Sequence, residues 1–152
     1  LSAIINAFIP EAVVLPILVF VGISSYSQAF EVVDKKYFPA VIMASLPVVM
    51  DFIVDNMREG ALPGFTAFDP GSAFVGLLVG CVFVFIIDNN WKNASITNAA
   101  ALALTGIGMI HSPGILGTAA YAPDMGFVQV YIVLMIVFAV MHFVGFNQKK
   151  TA

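Results

Sequence analysis

Asp51 and Asp55 stand four residues apart within an otherwise apolar run, so a helix there puts both carboxylates on one face. An ionisable group inside an apolar helix is costly in hydrocarbon and marks, by default, a proton or ion path. Pro47, one turn earlier, has no N–H for the Met43 carbonyl, which frees a further oxygen beside the acids. A plainer reading competes with that relay. At about 1.5 Å per residue, Asp51 lies some 9 Å from Met57, and Arg58 can pair with Asp55 at the water boundary. Asp51 is the stronger candidate of the two. His111 is the third candidate intramembrane polar residue. It closes a later apolar run in the string Gly-Met-Ile-His-Ser-Pro-Gly and could sense pH or donate to a ligand. The plainer reading, which is preferred, has it cap the helix end among headgroups, with Pro113-Gly114 halting the helix. His142, near the end of the last apolar run, reads as an interface residue.

Nothing in the chain resembles a catalytic constellation. There is no His-x-x-x-His or His-Glu-x-x-His spacing, and the single cysteine, Cys81, excludes both a disulfide framework and a Cys-rich zinc site. No nucleophile–base pair, phosphate-cradling glycine loop or dinucleotide fingerprint occurs. The expectation is no enzyme, no catalytic, metal or cofactor-binding residue, and no cofactor beyond H+ or Na+ as a coupling ion.

The elements that would position Asp51 and His111 follow from composition. The chain is 61% apolar and 10% charged, with a mean hydropathy of +1.00, whereas a soluble domain carries roughly 25% charge. So few charges cannot coat a 152-residue globule in water. The net charge of −3 leaves no basic face for a nucleic-acid partner. The class expected is all-α: a polytopic helical membrane protein with membrane lipid as its surroundings.

A crossing helix needs about 20 apolar residues, and five runs qualify: 10–30, 38–57, 70–87, 94–110 and 127–146. Pro10 and Pro39 suit first-turn positions, and Pro16 predicts a kink near Ala12. Asp69 is a plausible N-cap before Pro70. Period-2 alternation is absent, which argues against a β-barrel. Lys35, Lys36, Lys92, Lys149 and Lys150 fall on one side of this arrangement, against Arg58 on the other. The positive-inside rule then places the C-terminus in the cytoplasm and residue 1 outside; the membrane expected is a bacterial inner (plasma) membrane. Gly76 and Gly80 form a small-xxx-small pair, and Ala101, Thr105 and Gly106–Gly108 offer a second surface for close helix packing. The chain opens on Leu1 with no charged leader. A single transmembrane region over 1–152, cut from the C-terminal part of a longer polypeptide, is the expectation.

Two stretches carry a family resemblance. The run Val13-Val-Leu-Pro-Ile-Leu-Val-Phe-Val-Gly22 is similar to a late helix of nucleobase permeases, and Phe38-Pro-Ala-Val-Ile-Met-Ala-Ser-Leu-Pro47 resembles the helix that follows in AzgA-like purine permeases. Ala29-Phe30, Lys35-Lys36-Tyr37-Phe38-Pro39-Ala40-Val41, Phe85-Ile-Ile-Asp88 and Gly106-Ile-Gly-Met-Ile-His-Ser112 look like an uncharacterised branch of that xanthine/uracil permease superfamily. The resemblance implies two inverted seven-helix repeats with a core and a gate domain, this chain supplying gate and scaffold helices. It also implies a substrate site in a core domain preceding these residues, that core domain as an intrachain partner, and a possible homodimer. The expected function is a fragment of a secondary active transporter, a symporter-type permease for a nucleobase-like solute. The alternative is a stand-alone small membrane protein with a structural or assembly role.

Overall fold

The computed structural model describes residues 11–56 and 71–151. Among these residues the protein is all-helical. Helix α1 is Glu11–Val32, followed by a short 3-10 turn at Lys35–Tyr37, and α2 is Phe38–Asn56. Helix α3 is Ser72–Ile87, α4 is Trp91–Ile107 and α5 is Met125–Thr151. The chain falls into two units, Leu1–Phe38 and Pro39–Ala152.

In the first unit, Pro16 lies inside α1. Ile17, Val19, Phe20, Val21 and Ile23 are all exposed, so consecutive apolar residues cover more than one face of this helix. Below them Tyr26, Phe30 and Phe38 form a ladder of rings, the last pair edge-on at 4.8 Å. The Lys36 ammonium sits 4.4 Å over the Tyr37 ring, a cation–π contact within the Lys35–Tyr37 turn.

In the second unit the ends of the helices have local causes. The Asn90 side chain accepts from the Asn93 N–H and caps α4, so the helix starts at Trp91, three residues before the run read from sequence. Helix α4 also stops early. Gly108 takes a left-handed φ of 83°, its N–H bonding Thr105 O at 3.0 Å while Met109 N–H bonds Leu104 O at 2.9 Å, the Schellman arrangement. Gly108, rather than Pro113-Gly114, is therefore the helix stop. Helix α3 begins at Ser72 behind Gly71; Asp69 and Pro70 lie outside the described residues. Helix α5 starts at Met125, with the Asp124 carboxylate accepting from the N–H groups of Gly126 and Phe127.

Two segments among the described residues are long and apolar enough to cross a membrane, Lys35–Val54 and Met125–Gly145. Only 11% and 6% of their apolar windows are buried inside the protein, unlike the core helix of a water-soluble fold. The third apolar helix, α3, has 16 residues. Among the described residues the buried apolar side chains are Ala40, Val75, Ala94, Ala101, Ile110, Tyr131 and Phe138. Helix α4 packs most extensively on α5 and next on α3. Its buried residues, Ala94, Asn98, Ala101 and Thr105, recur at intervals of four, three and four, a seam of small side chains along one face. The α5 residues opposite descend as α4 climbs: Trp91 meets Phe138 and Asn98 meets Tyr131, which makes the pair antiparallel.

Candidate functional site

Asp51 is half-buried in the last two turns of α2. Its carboxylate accepts a hydrogen bond of 2.5 Å from the hydroxyl of Ser72, the first residue of α3. Ser72 is itself buried, so the carboxylate is tied to the neighbouring helix rather than left to solvent. The close approach of α2 and α3 makes this possible. A Cβ on Gly76 would overlap the Ala44 carbonyl oxygen, and one on Gly80 would stand 2.9 Å from the Ala44 Cβ. The small-xxx-small pair read from sequence is the surface on which α3 meets α2. The side chain of Asp55, and Arg58 altogether, lie outside the described residues, and with them the Asp55–Arg58 pair.

His111 sits differently from a helix cap among headgroups. It is only 2% exposed. Its ring stacks on Phe127 at 3.8 Å and 14°, and its Nε2 lies 2.9 Å from the Tyr131 hydroxyl. The physical reason is the chain reversal after Gly108. His111 itself has a φ of 54°, unusual for a residue with a side chain, and the turn folds the imidazole back against the first turns of α5. Tyr131 is a junction, since its backbone carbonyl also accepts from the Asn98 amide at 2.5 Å. Ser112 completes the turn: its hydroxyl donates to Gly114 O and accepts from Ala122 N–H.

The two polar groups are joined at the corner Gly71–Ser72. Ser72 holds Asp51. Gly71, with φ of 86°, lies so close to the Met109–Ile110 turn that a Cβ there would come within 2.8 Å of Met109 O and of Ile110 Cγ2. Asp51, Ser72, His111 and Tyr131 thus come from four segments of the chain at one end of the second unit. His142 is half-buried toward the other end of α5, its ring 6.0 Å from that of Phe143. Sequence reasoning passed over Ser72 and Tyr131. The signal available was the α4 stripe, where Asn98 falls in register with Ala94, Ala101 and Thr105.

The arrangement can hold a proton on a carboxylate or an imidazole and fix helix spacing by hydrogen bonds. Among the described residues no three His, Cys, Asp or Glu side chains gather to hold a metal ion. No family model, curated protein or solved structure matches the chain.

Proposed function

We propose that this chain is a membrane-embedded scaffold and gate portion of a secondary transporter for a small polar solute. By the resemblance of Val13–Gly22 and Phe38–Pro47, a nucleobase-like solute moved with H+ or Na+ is the class. The observation that carries the reading is Asp51: an ionisable carboxylate inside the apolar segment Lys35–Val54, bonded across to Ser72 at the α2–α3 contact. Ionisable groups at such positions belong to ion and proton paths. A protonated Asp51 would donate where the carboxylate now accepts, so a proton arriving there changes the bond that ties α2 to α3.

A second reading has its own support. Among the described residues every buried side-chain nitrogen and oxygen finds a hydrogen-bond partner, as a structural or assembly subunit without a substrate of its own would have it. One assay separates the two. In proteoliposomes of the full-length polypeptide, labelled nucleobase uptake is followed across pH for the native protein and Asp51→Asn. The transporter reading expects uptake whose pH dependence flattens in Asp51→Asn. Uptake with the same pH profile in both removes Asp51 from coupling, and no uptake in the native protein favours the structural subunit.

A further inference from the structure

The longest stretch of the chain without Asp, Glu, Lys or Arg runs from Asn93 to Pro123. It includes all of the connection between α4 and α5 except its last residue, Asp124. A connection facing water normally carries polar and charged side chains, yet this one displays Ile115 at 55% and Leu116 at 61% exposure, beside Ile107 and Met109 at 44% each. The Leu116 N–H bonds Ile107 O at 2.8 Å, so these residues surround the end of α4 as one group. The backbone beneath them is tied down. Tyr121 OH donates to Gly106 O at 2.7 Å, and Asp124 N–H donates to His111 O at 2.9 Å. The apolar group is therefore held outward by a fixed loop.

Helix register says what lies around that loop. Trp91 packs on Phe138 with ring centroids 6.3 Å apart, so the polar turn Asp88–Asn90 and Lys92 are level with the Phe138 region of α5. From there to Met125 a helix rises about 20 Å, while α3 and α4 are about 24 and 26 Å long. A hydrocarbon core is about 30 Å thick. Of the three only α5 matches that thickness: it continues past Phe138, and its apolar span Met125–Gly145 rises about 31 Å, which sets Met125 at one surface. The connection that leads to Met125 at that surface is Gly108–Asp124, in which Asp124, its last residue, is the single Asp, Glu, Lys or Arg.

We propose that the Gly108–Asp124 loop is an interfacial lipid-binding element, seated at the headgroup–acyl boundary on the face away from Lys92, with Ile115 and Leu116 against acyl chains. It rests on the membrane reading above. Irregular backbone is tolerated at that depth because its polar groups are bonded within the loop or reach headgroup water.

The test is site-directed spin labelling in phosphatidylcholine vesicles, in a Cys81→Ala background, with nitroxides at Leu116→Cys and Val137→Cys. Val137, 46% exposed on α5, reports on the membrane reading itself. Collision with oxygen exceeding collision with a water-soluble nickel chelate is expected at both positions. Nickel-dominated collision at Leu116 puts the loop in water, and shielding from both agents puts it under protein; either overturns the proposal while a lipid-facing Val137 leaves the membrane reading standing. Nickel-dominated collision at Val137 overturns both. Ile115→Cys repeats the reading one residue away, so that a single misfolded variant does not decide it.

Discussion

Gly76→Ala and Gly106→Ala make the same chemical change in two helices and should have opposite effects. At Gly76 the added methyl would overlap the Ala44 carbonyl oxygen, with the Ala44 carbonyl carbon at 3.5 Å and Val48 Cγ2 at 4.0 Å. The obstacle is backbone, so no rotamer relieves it, and α2 must retreat from α3 by roughly 1 Å to restore an ordinary contact. Overpacking of this kind costs about 1–3 kcal/mol. The same retreat stretches the 2.5 Å Ser72–Asp51 bond toward the limit of hydrogen bonding; losing a bond to a charged group adds about 1.5–3 kcal/mol, and the lower end applies because Asp51 is only half-buried. Against this, Ala in a helix gains about 0.5–1 kcal/mol over Gly. The net expectation is a loss of about 1.5–4 kcal/mol, roughly ten- to several-hundredfold in the folding equilibrium. Gly106 has nothing within 4 Å of its virtual Cβ, so Gly106→Ala should be neutral or stabilising. The assay is unfolding in mixed micelles followed by the fluorescence of Trp91, the only tryptophan in the chain. A Gly76→Ala protein as stable as the native one would refute the close α2–α3 contact, and equal losses at both glycines would refute the packing argument altogether.

Further outcomes follow from the same geometry. Tyr131→Phe removes the hydroxyl 2.9 Å from His111 Nε2 and should cost about 1–3 kcal/mol in the same unfolding assay. Asn98→Ala removes the side-chain bond to Tyr131 O; interhelical bonds of this kind in membranes average about 0.6 kcal/mol and reach about 1.7, so a smaller loss than for Tyr131→Phe is expected. Gly108→Ala forces a side chain into a left-handed position, at about 1–2 kcal/mol, and drives a methyl into Gly114 O. It should destabilise more than Gly106→Ala by at least that amount, measured side by side.

Much of this molecule can be read from local rules. The runs that became α1, α2, α3 and α5 are visible as apolar stretches, and Gly76 and Gly80 announce close packing because nothing but hydrogen leaves room for a facing backbone. The ends of α4 were harder. Asn90 and Gly108 are the residues that start and stop it, yet the apolar content of the run drew attention inward from the one and past the other. His111 was misplaced for a deeper reason. A histidine after an apolar run looks like a headgroup contact until the chain folds back, and the partner that draws it in, Tyr131, is 20 residues away. Ser72 and Asp51, 21 residues apart, pose the same difficulty: each looks solvated alone, and only the α2–α3 approach joins them. The five crossings read from hydropathy reduce, among the described residues, to five helices of which two segments meet length and apolarity together.

The Asn89–Asn90 reversal has a consequence for how the chain is made. Asn89 takes a φ of 53° and Asn90 N–H bonds Phe85 O at 2.8 Å, so α3 and α4 form a hairpin closed by contacts a few residues apart. Helix α3 has no polar side chain between Ser72 and Asp88 apart from Cys81, whereas α4 carries Asn93, Ser95, Thr97, Asn98 and Thr105. The carbonyl that accepts from Asn98 belongs to Tyr131 and is synthesised 33 residues later. On the membrane reading proposed above, α4 would enter with its greasier neighbour during translation, its Asn98 amide without this partner until α5 is made. The tight reversal would bridge that interval on the same reading: it couples a helix without polar side chains to one that carries several, so that the pair, not the single helix, would be the unit that inserts.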